Sequence, residues 1–344
     1  MTSADWTEPG AWEVAPDLYR IPLVMPTKGL RAINVYAIRD GDRVTIVDSG
    51  WAVPEAHQQL EEALRSIGSG LNAIDEFLIT HSHSDHITLG VQLRREYGMR
   101  ISVGKDEEPN ILAVMDHWYN GFRLNFQRLR FAGAGIIADA MHARVEEDPD
   151  AERMAEEHFE LPDRWLVGGE LLEVGRYRLR VIPTPGHTRG HLVFADIDAG
   201  VIMTGDHVLP SITPSIGFEA QHNLLPLKNF LQSQQVMLDL PDLRVLPAHG
   251  AVGQSLHARA RELIDYHEQR LLDCRAALTE GASGALDVAR AIGWTRHLRH
   301  FDTFDPFNQM LAVNETVAHL DLLVDRGLAV RDTTDDVASY RVGD

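Results

Sequence analysis

Four metal-capable side chains fall within the six residues His81-Ser82-His83-Ser84-Asp85-His86, a density that packing alone does not call for. The hexapeptide directly follows Asp75-Glu76-Phe77-Leu78-Ile79-Thr80, whose apolar centre predicts a short buried strand. It therefore begins where a strand ends. His81 and His83, two apart on extended backbone, point to the same side and can grip one ion. Asp85 and His86 lie a turn further on, where a second ion could sit. The bland alternative is a polar surface loop rich in histidine, and the rest of the chain argues against it.

Three later stretches complete the set. Pro183-Thr184-Pro185-Gly186-His187 follows an expected strand and offers a third nitrogen to the ion of His81 and His83. Met203-Thr204-Gly205-Asp206 also follows a strand, and Asp206 is suited to bridge two ions. Leu246-Pro247-Ala248-His249-Gly250 ends another and offers a nitrogen beside Asp85 and His86. Each candidate ligand thus sits at a strand's C-terminal end, which is how chemistry is usually placed on a rigid sheet. Five imidazoles and two carboxylates without a thiolate suit two Zn²⁺ ions, and also iron or manganese. Two ions about 4 Å apart can share a hydroxide, whose parent water titrates near pH 7 when bound. No Ser-His-Asp set is needed, and no phosphate-cradling glycine loop is evident.

The order of elements sets the fold class. Strands are expected over 12–24, 33–38 and 44–48, a helix over 54–67, and then the hexapeptide strand. A helix through residues 91–97 and a strand at 101–103 follow. Strands alternating with helices indicate an α/β architecture. Residues 105–165 break the rhythm: Leu112, Met115, Tyr119, Phe122 and Phe126 recur at helical spacing, which predicts one apolar face of a helical insertion lying over the sheet. Its aromatics pack the insertion down or form an apolar wall that receives an acyl group. Glu146-Glu147-Asp148-Pro149-Asp150 marks an exposed acidic turn. Strand patterns return at 169–174, 177–182, 192–196 and 200–204, with a helix at 227–239 and a strand at 244–246.

At 344 residues the chain suits one large domain plus a smaller one. The first covers 1–256. Residues 257–344 read as helix, helix, helix and β-hairpin, the order of a winged helix. Net charge is −19, which argues against loose binding to nucleic acid or an anionic membrane. From residue 257 there are 10 arginines, no lysine and 15 acidic residues, a net of −5. A DNA-reading helix normally sits in a basic stripe, so the tail is expected to pack on the first domain, wall the substrate cleft or make a homodimer contact. The polar, acidic N-terminus lacks the features of a signal peptide, and no run approaches the roughly 18 apolar residues of a spanning helix. A cytoplasmic protein without membrane association is expected. Cys274, the single cysteine, reads as a small buried apolar side chain.

The run His-x-His-x-Asp-His at 81–86, followed by His187, Asp206 and His249, resembles the metallo-β-lactamase superfamily. That resemblance covers nearly the whole chain and implies an αββα sandwich. It implies one ion on His81, His83 and His187 and another on Asp85, His86 and His249, with Asp206 bridging. Asp48, in Val47-Asp48-Ser49-Gly50, matches the superfamily's buried aspartate that supports the site. Gly205-Asp206-His207-Val208-Leu209-Pro210 with Ile212-Thr213-Pro214 resembles the branch with a winged-helix tail, which is related to the glyoxalase II hydrolases. Thr88 and Leu89 stand where the commoner Asp-His-x-Gly-Gly has glycines, a change that can shift the following helix.

The expected function is a dinuclear metal hydrolase in which a bridging hydroxide attacks an ester, thioester or amide carbonyl of a small anionic or acyl-carrying substrate. Asp85 is assigned to metal and to orienting the hydroxide. His191 either donates to the developing oxyanion or satisfies a strand end. His207 is expected at the pocket wall, Trp51 in packing or at the pocket mouth, and His117 and His222 at the surface. Lys28 and Arg31 could meet an anionic group. Three other readings keep parts of this site: phosphodiester cleavage in RNA, an iron-dependent sulfur dioxygenase, and a nucleic-acid-binding module with a structural metal.

Overall fold

The computed structural model describes residues 5–27, 29–147, 151–221, 223–294 and 299–343. A seven-stranded sheet is built in chain order from β1 (Trp12–Ala15), β2 (Leu18–Val24), β3 (Ala32–Asp40), β4 (Arg43–Val47), β5 (Ile74–Ile79), β6 (Arg100–Gly104) and β7 (Arg164–Leu166). The first four strands run antiparallel. From β4 onward the strands are parallel, because α1 (Pro54–Ser66) and α2 (Ser84–Tyr97) supply the crossovers that parallel pairing requires. The span 12–24, read as continuous from sequence, is split at Pro16-Asp17, where Asp17 takes φ 62°.

Between β6 and β7 lie α3 (Glu108–Asp116), α4 (Asn120–Phe131), α5 (Gly135–Glu146) and α6 (Ala151–His158). The second sheet holds β8 (Leu171–Val174), β9 (Tyr177–Pro183), β10 (Leu192–Asp196) and β11 (Val201–Gly205), all antiparallel. After α7 (Pro226–Asp239), β12 (Arg244–Pro247) adds parallel to β11. The chain ends with α8 (Leu256–Thr279), α9 (Ala285–Ala291), α10 (Pro306–Asp325) and the hairpin of β13 (Ala329–Thr334) and β14 (Val337–Val342). Asp335 and Asp336 both have positive φ, as a two-residue type I′ turn demands.

Period-two alternation assigns each sheet two faces. Leu78 on β5 and Phe194 on β10 meet in the core between the sheets, with Val47, Leu179 and Met203. Their neighbours face outward. Phe77 packs under α1 and α2 with Leu60 and Leu93, and Val193 packs under α7 and α8 with Phe230 and Leu263. The result is the expected α/β sandwich of helix, sheet, sheet and helix layers. Among the described residues no helix is long and apolar enough to cross a membrane.

The insertion departs from expectation in two ways. Its apolar face is not one helix: α3 ends at Asp116 with His117 extended, and Leu112 and Met115 are exposed. Nor does it simply lie over the sheet. The segment α6 packs on α2, while α4 and α5 pack on α10, so Phe126, Leu129 and Met141 share a core with Val313 and Leu320 of the tail. Amphipathic spacing announces a buried face but not its partner. Residues 148–150 of the acidic turn lie outside the described residues.

Candidate metal centre

Four strand ends converge on one buried point between the sheets. After β5, Thr80 and His81 run extended, and His83 precedes the first turn of α2, which carries Asp85 and His86. These four side chains hang from the seven-stranded sheet. His187, Asp206 and His249 follow β9, β11 and β12 of the other. Nε2 of His187 lies 3.2 Å from Nε2 of His81 and 3.1 Å from Nδ1 of His83. On the other side, Nε2 of His249 lies 3.3 Å from Oδ2 of Asp85, and Nε2 of His86 lies 3.6 Å from the same oxygen. Asp206 stands between the two groups. Its Oδ1 is 3.4 Å from His249 and 3.6 Å from His86, and its Oδ2 is 3.6 Å from His187.

Each imidazole is fixed by its remaining nitrogen. Nδ1 of His187 donates to the Ser215 carbonyl at 2.8 Å, and Nδ1 of His249 donates to the Ala32 carbonyl at 2.9 Å. His86 Nδ1 donates to Asp48 at 2.9 Å, His81 Nδ1 meets the Thr80 hydroxyl at 3.1 Å, and His83 Nε2 meets the Phe218 carbonyl at 3.3 Å. Anchoring the outer nitrogen orients the inner lone pair, as metal-binding histidines require.

The electrostatics differ between the halves. Burial, with the neighbouring imidazoles, holds His81 well below its usual range, and burial holds His83 and His187 down to about 4. That half is neutral. At His86 burial also opposes charge, but Asp48, Asp85 and Asp206 outweigh it and push the pKa up to about 10. Burial likewise resists the Asp85 charge, yet His86 and His249 hold that carboxyl well below the usual range. Nε2 of His86, Nε2 of His249 and Oδ1 of Asp206 are buried with no hydrogen-bond partner. Orphaned buried polar atoms are costly, and here they face one another beside three buried carboxylates. Two divalent cations fit this donor set.

The seven expected ligands are therefore brought together, and His191 lies behind them. It is fully buried, its Nε2 accepts from the Asp206 N–H at 3.2 Å, and its Nδ1 pairs with the Thr184 hydroxyl at 2.8 Å. With both ring nitrogens so engaged, His191 positions the Asp206 loop, which matches the strand-end alternative of its two expected roles. Gly205 makes this possible: with φ 49°, a Cβ there would meet the Thr80 hydroxyl at 2.7 Å and His191 at 2.9 Å. His207 is buried against Phe230, and Trp51 packs on the outer core. Arg31 is exposed and pairs with Asp5. His117 is exposed at the break after α3, whereas Lys28 and His222 lie outside the described residues. Burial pushes the Cys274 thiol up to about 12, as an inert buried cysteine requires. Thr88 accepts from the Ala52 N–H at 2.9 Å and donates to the Ser84 carbonyl, so it ties α2 to the Asp48 loop.

Residues that the sequence did not announce brace the site. Glu107 is fully buried and accepts from Ser82, Thr188 and the Gly190 N–H, joining the hexapeptide to the His187 loop. Asn110 links it to Glu219, which accepts from the Arg189 N–H at 2.9 Å. Burial, aided by Glu107, pushes the Glu219 carboxyl up to about 7. In Lys105-Asp106-Glu107-Glu108 the brace looks like an exposed charged turn, and only the clash of any Cβ at Gly190 with the Glu107 backbone, at 2.3 Å, betrays it. The half-buried Phe218 stands against His83 with ring centroids 5.7 Å apart. Phe122 of the insertion and Phe307 of the tail pack on it at 6.0 and 5.7 Å. An apolar wall thus starts at the candidate metal ligands.

With this geometry in view, the profile described as Metallo-beta-lactamase superfamily matches residues 29–249. The probable metallo-hydrolase YqjP of Bacillus subtilis is 25% identical over 302 residues, which cover 85% of this chain and 87% of that protein. The hydroxyacylglutathione hydrolase GloC of Haemophilus influenzae is 29% identical over 168 residues, 48% of this chain and 62% of that one. Among solved structures, a metallo-beta-lactamase family protein of Thermus thermophilus superposes with a TM-score of 0.79 at 26% identity, covering 96% of this chain and all of that one.

Proposed function

The chain belongs to the metallo-β-lactamase superfamily of metal-dependent hydrolases, and from that premise we propose that it cleaves the carbonyl bond of a small acyl-bearing ester, thioester or amide. His81, His83 and His187 would hold one ion and Asp85, His86 and His249 the other, with Asp206 between them. Ions so held supply Lewis acidity and bring the pKa of bound water to about 7.

The chain's own residues do the rest. Asp85 stays ionised and presents an oxygen to the same space as His249, where it can orient an attacking water by accepting a hydrogen bond from it. His191 and Thr184 fix the Asp206 backbone, and Asp48 with Thr80 fixes His86. The single observation that carries the substrate class is the wall of Phe218, Phe122 and Phe307 beginning at His83. It can take an acyl chain and exclude water from the carbonyl. A net charge of −19 speaks against an RNA backbone as substrate. The relative GloC, a hydroxyacylglutathione hydrolase, supports the same direction.

The test is thiol release from a panel of acyl-CoA and S-acylglutathione thioesters by zinc-reconstituted protein, with the Asp206→Ala variant beside it. Metal-dependent release above the variant is expected. Release no greater than the variant's would overturn carbonyl hydrolysis and direct attention to phosphodiesters.

A further inference from the structure

A second set of metal-capable side chains sits between the long helices of the tail. His267 belongs to α8; Glu315 and His319 belong to α10, four residues apart and hence on one face. All three are at least nine-tenths buried. Nδ1 of His267 lies 3.2 Å from Nε2 of His319. That is the nitrogen spacing found among His81, His83 and His187, at 3.1 and 3.2 Å. It is also close to the roughly 3.3 Å edge of a tetrahedron with zinc–nitrogen bonds of about 2.0–2.1 Å. One ligand atom from each of the three residues lies within 4.8 Å of the others.

The surroundings match a metal ligand set. His319 donates from Nδ1 to the Glu315 carbonyl at 2.7 Å, which leaves Nε2 as the lone pair facing His267. Burial keeps both imidazoles neutral at pH 7. A hydrogen bond between the two rings would satisfy those two nitrogens but leave Oε1 of Glu315 buried without a partner. The nearby cation, Arg270, lies over the Trp294 ring at 4.1 Å and donates from Nη1 to the Gly293 carbonyl. Its charge opposes a second cation, so a ligand set there must carry a negative charge of its own; burial pushes the Glu315 carboxyl up to about 7, and Glu315 would supply that charge on ionising as an ion binds.

We propose that His267, Glu315 and His319 bind one divalent ion of the zinc class, distinct from the catalytic centre, and so cross-link α8 to α10. Phe230 separates the two centres, packed on His207 on one side and on His267 on the other.

The full chain, stripped of metal, reloaded with zinc alone and desalted, tests this by zinc counted per chain. Glu315→Gln should hold one zinc fewer than the wild type while thioester hydrolysis changes by less than about twofold. Crystals of the wild type, which need no variant to fold, should show zinc-edge anomalous density among the three side chains as well as at the catalytic ligands. Equal zinc content in the two proteins, or density at the catalytic ligands alone, would overturn the proposal.

Discussion

Asp48 holds His86 by a 2.9 Å hydrogen bond to Nδ1, and the same carboxylate takes both the N–H and the hydroxyl of Thr80. One side chain thereby joins the end of β4 to the end of β5 and aims a metal ligand. Asp48 itself adopts φ 59°, a conformation that Asp and Asn tolerate better than other L-residues. Asp48→Asn should therefore keep the turn and lose the charge. We expect the affinity of the ion on Asp85, His86 and His249 to fall about 10- to 100-fold, measured by competition with a chromophoric chelator. Unchanged affinity would limit Asp48 to a role in the turn.

Asp206 touches both halves of the centre and His83 only one. Asp206→Ala and His83→Ala should each lower kcat/KM for thioesters by about 100-fold or more, with the circular dichroism spectrum retained. Full turnover in both variants, with metal verified absent, would sink the mechanism.

Phe218 stands where an acyl chain would leave the metals. Phe218→Ala removes apolar contact of a size that typically contributes about 1.5–3 kcal/mol, so kcat/KM should fall about tenfold or more for long acyl chains and little for acetyl. The ratio across a chain-length series is the readout. A uniform drop for all chains would mean that Phe218 only supports His83.

Glu219 gives the fold a pH dependence that can be signed. Its carboxyl titrates at about 7 in the folded protein against an ordinary value of 4.5, so the native state holds the proton more tightly. The stability this contributes is complete below about pH 4.5 and lost as pH rises through about 7, to the extent of about 3 kcal/mol. Wild type minus Glu219→Gln, followed by urea midpoints, should decline across that window. Parallel curves for the two proteins would refute the buried ionisation.

Much of the centre was legible because its chemistry is local. His81 through His86 announce themselves within six residues, and His187, Asp206 and His249 each follow a strand and sit beside a glycine. Period-two patterns likewise carried most of the strands. What escaped is relational. Glu107 cannot be told from its exposed neighbours until the His187 loop closes over it, and His191 betrays its structural duty only once Asp206 lies beside it. The docking of α4 and α5 on α10 was hidden for the same reason: Asn125 and Asn314, joined at 2.9 Å, are 189 residues apart.

The division of the ligands between the sheets has a mechanical meaning. His81, His83, Asp85 and His86 hang from one sheet, His187, Asp206 and His249 from the other. Ions held at that point would act as a rivet through two plates that otherwise meet by apolar contact and a few hydrogen bonds, such as that from the Tyr36 hydroxyl to the Pro247 carbonyl. A chelator should then do more than silence the chemistry: it should let the plates slip, so that the halves of the sandwich melt less in step than they do when fastened.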